Sequence, residues 1–142
     1  MLRGLDPLLT PDLLHALGSM GHGDTIAVVD ANFPAAASAR RLIVLPGVDA
    51  PAVLGAILTL LPIDNFEPDP IMVMQVVGDP DATPDPVRDF NVILSRHAVP
   101  PPVAIERHAF YRIAAASFVI VQTGERRFYG NIVLRKGVIP PL

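Results

Sequence analysis

The chain has 142 residues and no cysteine, enough for one domain with a real core and excluding a disulfide framework or thiolate chemistry. Its net charge of −3, without any Lys/Arg cluster, leaves no electrostatic footprint for nucleic acid or a membrane surface. Hydrophobic residues still reach 51% and mean hydropathy is +0.44, a surplus expected at subunit interfaces because the longest apolar stretch, Ala50 to Ile63, is too short to span a bilayer and holds two prolines.

Met1 to Gly4 runs into Asp6 and Pro7 with no apolar signal core, so a cytoplasmic protein is expected. Thr10-Pro11-Asp12 opens a helix, with threonine as N-cap, proline at the first helical position and an acid facing the helix dipole. Leu13, Leu14 and Leu17 form its apolar stripe, Gly18 or Gly21 ends it, and His15 lies on it partly exposed. Thr25 to Val29 is an apolar, β-branched run and reads as a buried strand. Polar groups occupy both of its mouths. His22 stands between Gly21 and Gly23, where the backbone is free to let a ligand approach. At the other mouth Asp30 and Asn32 precede a stiff Phe33-Pro34. A titratable imidazole and a carboxylate held by one strand point to a small-molecule site. On spacing alone, though, a turn histidine and a capping aspartate look the same.

Ala35 to Ala39 is a small-residue loop, and Leu42 to Leu45 a second strand closed by Pro46-Gly47. Asp49 and Pro51 start a helix carrying Val53, Leu54, Ile57, Leu58 and Leu61 until Pro62 stops it. Ile63 to Pro70 reads as a solvated connector that sets acids beside an aromatic, ahead of a strand from Ile71 to Val77. Gly78 to Pro86 is a rigid polar loop, and Asp85-Pro86 caps a helix with Val87, Phe90, Ile93, Leu94 and His97 on one face. After the extended Pro100-Pro101-Pro102 spacer come a strand from Val103 to Arg107, a helix from about His108 to Ser117, and strands Phe118 to Gln122 and Asn131 to Leu134. This alternation predicts a single α/β domain, with a mostly parallel central sheet and flanking helices.

Gly18, Gly21 and Gly23 follow a helix rather than a strand, so they make no dinucleotide fingerprint. No phosphate-loop motif occurs, no serine sits in a nucleophile elbow, and the four histidines form no metal-spaced pair. Neither a metal nor a cofactor is expected.

Met20-Gly21-His22-Gly23-Asp24, Asp30-Ala31-Asn32-Phe33-Pro34, Thr123-Gly124-Glu125 and Tyr129-Gly130-Asn131-Ile132 together resemble the family of L-fucose mutarotases and D-ribose pyranases. The likeness runs from Leu5-Asp6-Pro7-Leu8 to Lys136-Gly137-Val138, and the Gly-His-Gly-Asp wording is similar to the fucose branch. The resemblance implies a cofactor-free monosaccharide isomerase assembled as a ring of five, or as a decamer of two rings. It implies His22 as the principal proton donor and acceptor. Asp30 would bind sugar hydroxyls or orient the imidazole, and Asp64, Arg107, Tyr129, Gly130 and Asn131 would contact the sugar. Tyr111 matches a second proton-transfer group, and equally reads as a core aromatic. L-fucose is the leading substrate, with D-ribose and galactose as alternatives; a pyranase or a silent sugar-binding ring is the competing function. His108 after Arg107 and the acidic, proline-rich Asp79 to Pro86 depart from the family pattern. In such a ring His22 and Tyr129-Gly130-Asn131 would meet across a subunit boundary.

Overall fold

The computed structural model describes residues 1–142. Six strands form one sheet: β1 (Thr25–Val29), β2 (Leu42–Leu45), β3 (Ile71–Met74), β4 (Val103–Ile105), β5 (Val119–Thr123) and β6 (Ile132–Arg135), in the order β2-β5-β1-β6-β3-β4. β1 pairs parallel with β5, β5 with β2, and β3 with β4, whereas β6 runs antiparallel to both β1 and β3. Five strands therefore point one way, and their carboxyl ends share one edge of the sheet.

The period-two pattern of the strands divides the core. Ile26, Val28, Val119, Val121, Ile132 and Leu134 face the larger core, which packs against α1 (Pro11–Ser19), α3 (Ala50–Leu58) and α4 (Asp85–Arg96). The alternate residues Ala27, Val29, Ile120 and Val133 face a smaller core with α5 (Arg107–Ala116) and the short α2 (Ala35–Ser38). Sheet residues buried on both faces explain why the strands read as unbroken apolar runs. The N-caps are those of the sequence for α1 and α3: Thr10 accepts from the Leu13 amide and Asp49 from the Ala52 amide.

Several boundaries differ from the sequence reading, β5 and β6 by one residue at each end, and four differences have a local cause. Ala35 to Ser38 is a helical turn, closed by the Ala39 amide on the Ala35 carbonyl, because alanine favours helix even over so short a span. α3 ends at Leu58, where Thr59 Oγ1 turns back onto the Ala56 carbonyl. β3 stops at Met74, since the chain then folds back at Gly78 (φ +81) with Val76 bridging Asp79. β4 ends at Ile105 because the Glu106 side chain accepts from the His108 and Ala109 amides and so starts α5, placing Arg107 in its first turn.

Candidate active site

At the carboxyl edge, where α/β sheets usually hold their ligands, the chain leaves β1 through Asp30 and enters β6 through Asn131. The Asp30 amide donates to Asn131 Oδ1 at 2.8 Å, and Asp30 Oδ1 accepts from the Asn32 amide at 3.0 Å. Both side chains are buried. Burial pushes the Asp30 carboxyl above its ordinary range, against the opposing effect of the Asn32 amide and the Asn131 side chain. Around them a cavity of about 240 Å3 is walled by Phe33, Met74, Val77, Tyr111 and Phe128, with Arg107, Tyr129 and Asn131 supplying polar groups. Arg107 enters into no ion pair. Tyr129 holds a left-handed backbone (φ 62), and its hydroxyl accepts from the Val77 amide at 3.1 Å, which leaves its own proton to donate. Gly130 leaves room for its neighbour: a Cβ there would stand 2.6 Å from Glu125 Cγ.

His22 lies at the opposite edge. Gly23 turns the chain at φ +86, the Gly21 amide donates to Asp24 Oδ2, and the Gly23 amide donates to the Lys136 carbonyl. Lys136 Nζ in turn caps the carboxyl end of α1, donating to the Leu17 and Met20 carbonyls. His22 Nε2 sits 3.0 Å from Asp64 Oδ1; the imidazole is 43% exposed and the carboxylate fully enclosed. Asp64 also accepts from the Phe66 and Glu67 amides. The Phe66 amide foremost, then His22, holds its carboxyl below the ordinary range despite burial. An ionised Asp64 only accepts, so His22 Nε2 carries the hydrogen and Nδ1 is the open nitrogen. Phe66 meets the ring edge-on at 5.0 Å.

Of the residues singled out in the sequence, Asp30, Arg107, Tyr111, Tyr129, Gly130 and Asn131 come together, while His22 and Asp64 form a second group. Five residues of β1 separate the groups, roughly 17 Å at the usual strand rise. Within one chain Asp30 therefore does not orient the imidazole; Asp64 does. Asp64 is buried and meets His22 and the Phe66 and Glu67 amides, so the 63–70 connector is built around it rather than solvated throughout. Phe66 stood out in the sequence only as an aromatic beside acids, and Phe128 not at all. Their neighbours Asp64 and Tyr129 were the available signal.

Three larger hollows, about 450 Å3 between α4 and β4, about 560 Å3 beside the C-terminal tail and about 290 Å3 under the N-terminal segment, carry among their side chains one carboxylate or ammonium each, Asp81, Lys136 and Asp6. No three His, Cys, Asp or Glu side chains converge as metal ligands, and no helix is long and apolar enough to cross a membrane.

The model of the RbsD / FucU transport protein family matches residues 3–139. The chain belongs to that family. It is 40% identical over 148 residues to a fucose mutarotase of Bos taurus, spanning 99% of this chain and 96% of that relative. The fucose mutarotase of Streptococcus pneumoniae, solved in complex with L-fucose, is 36% identical with a TM-score of 0.92, over 98% of this chain and 100% of the other. RbsD of Bacillus subtilis, complexed with D-ribose, is only 16% identical at a TM-score of 0.76, over 99% and 100% of the two chains. That likeness carries the fold alone.

Proposed function

We propose that this protein is a cofactor-free mutarotase that interconverts the α and β anomers of L-fucose. The observation that carries the reading is the gathering of Asp30, Arg107, Tyr129 and Asn131 around one monosaccharide-sized cavity. The 40% identity to a fucose mutarotase supports it. A cytoplasmic location accompanies the reading as a sequence-based expectation.

Anomer exchange needs an acid to protonate the ring oxygen while a base takes the anomeric hydroxyl proton, with the roles reversed on reclosure. An imidazole whose unperturbed pKa is about 6.5 suits both roles. Asp64 fixes the His22 tautomer, so Nδ1 is the atom that receives and returns the proton. Asp30 accepts sugar hydroxyl protons. Arg107, the Tyr129 hydroxyl and the Asn131 amide donate to hydroxyl oxygens, and Tyr111 stands on the wall as the second proton-transfer group.

His22 and the cavity lie at opposite edges, so we place the complete site between two subunits. One subunit's His22 edge docks on the next one's carboxyl edge, and repetition closes a ring of five, alone or stacked as ten. Magnetisation-transfer proton NMR on equilibrated L-fucose and D-ribose tests the activity. Faster α/β exchange of fucose is the expected result. Acceleration of ribose pyranose–furanose exchange alone would make it a pyranase, and binding without acceleration of either sugar would reduce it to a sugar-binding ring.

A further inference from the structure

Arg127 does not line the sugar cavity, yet it joins three parts of the fold. Its Nε donates to Glu125 Oε1 at 2.9 Å and its Nη2 to Oε2 at 3.1 Å, a two-pronged fork. Its own amide also donates to Oε1 at 3.0 Å. The third nitrogen, Nη1, reaches across to Asp89 Oδ2 on α4 at 2.7 Å. Glu125 is 3% exposed. Its amide donates to Thr123 Oγ1, its carbonyl accepts from the Ala31 amide next to Asp30, and its Cγ fills the space beneath Gly130. The carboxylate thus forms the underside of the loop whose upper side presents Tyr129 and Asn131 to the cavity.

Stability alone is a poor account of this arrangement. The Asp89–Arg127 pair is about half exposed on both sides, where such pairs contribute little, and a buried pair is often no more stabilising than apolar groups of the same size. What the fork supplies is a fixed geometry. Tyr129 needs it, because a tyrosine at φ 62 keeps that conformation only when its surroundings over-determine it. The guanidinium also holds the Glu125 carboxyl below its ordinary range despite burial, so the fork stays charged on both sides at neutral pH.

We propose that Arg127 is a positioning residue: clamped between Glu125 and Asp89, it fixes the 123–131 loop so that Tyr129 and Asn131 meet the sugar, and so sets substrate affinity rather than the proton-transfer step. The proposal rests on the mutarotase reading and deepens it.

The test compares wild type, Arg127→Ala, Arg127→Lys and Asp89→Asn as assembled proteins, measuring kcat and KM for L-fucose by magnetisation transfer, with a melting curve for each. Arg127→Ala is expected to raise KM about tenfold, the worth of one or two lost sugar hydrogen bonds, with kcat nearly unchanged. Arg127→Lys should recover only part of the affinity, because an ammonium cannot fork, and Asp89→Asn should show a smaller rise of the same kind. An unchanged KM with only a lower melting temperature, or a loss of kcat at constant KM, would overturn the proposal. If Arg127→Ala fails to fold, the other two variants decide by the same split. Should wild type itself leave fucose exchange unaccelerated, the mutarotase reading fails separately. The same comparison is then read as L-fucose affinity by saturation-transfer NMR, where equal binding by all four proteins refutes the role.

Discussion

Because the two groups of site residues occupy opposite edges of one sheet, catalysis should be restorable by mixing two defective chains. His22→Gln removes the proton-transfer group, which contributes about a hundredfold or more. Asp30→Asn keeps the shape of the cavity but removes the charge and turns one of the two acceptor oxygens into a donor, a loss of about 1.5–3 kcal/mol in sugar hydrogen bonding, or roughly tenfold or more in kcat/KM. Each homogeneous assembly should be nearly inactive. The strand between the two groups spans roughly 17 Å, far beyond the about 3 Å reach that proton transfer requires, so no single chain brings His22 to its own Asp30. In a head-to-tail ring co-assembled from equal amounts, one site in about four pairs an intact His22 with an intact cavity. Fucose exchange should therefore rise to about a quarter of wild type, well above the average of the two parents. The assay is magnetisation transfer on rings made by co-expression with two different affinity tags and purified over both. Activity no greater than the parental average, in assemblies shown to contain both chains, would refute the shared site.

Titration of the two buried aspartates should act on stability with opposite signs. Asp64, held below its ordinary value of 3.8, stabilises the fold above that pH and loses the contribution as pH falls through its folded value. The melting temperature of Asp64→Asn should then trail wild type near neutrality and converge with it in acid. Asp30 is held above 3.8, so its ionisation costs stability as pH rises from there through the folded value. Asp30→Asn should accordingly melt higher than wild type at neutral pH while losing activity, and a lower melting point would count against the assignment. Gly130→Ala would force a Cβ to 2.6 Å from Glu125 Cγ, an overpacking expected to cost about 1–3 kcal/mol by denaturant melt, accompanied by a raised KM. Lys136→Met removes the ammonium from the Leu17 and Met20 carbonyls. It should cost about 1–3 kcal/mol and lower kcat more than KM, the reverse of the Arg127 pattern, because it loosens the His22 turn and leaves the cavity intact.

Every strand and helix of the fold except α2 was legible in the sequence, because each carried a local signal. Thr10-Pro11-Asp12 and Asp49-Ala50-Pro51 are caps whose chemistry acts within three residues. The runs at Thr25 and Ile71 are apolar on both faces because helices cover both sides of the sheet. The site was legible in its residues but not in its partnerships. Asp64 finds His22 forty-two positions away in sequence, through a bridge between Ile63 and Lys136 that no local pattern announces. That His22 and Asp30 stand at the two mouths of one strand was legible in the sequence. Which carboxylate orients the imidazole was not, because Asp64 reaches it only through the tertiary fold.

That separation gives the apolar surplus of the composition a place. Against His22, Phe66 is 70% exposed, and Leu60, Val138 and Ile139 lie open around the hollow that Lys136 lines; at the cavity edge, Phe128 is 75% exposed and Val77 also faces solvent. Large apolar side chains left uncovered in this way mark surfaces that bind other surfaces. Here they border the two groups of site residues. If burying them is what brings the imidazole over the sugar, then association and catalysis share one interface. A substitution such as Phe128→Asp, at a residue without a proton to transfer, should then abolish exchange by dispersing the ring. Light scattering read alongside fucose exchange would decide it, since folded monomers that kept full activity would break the link.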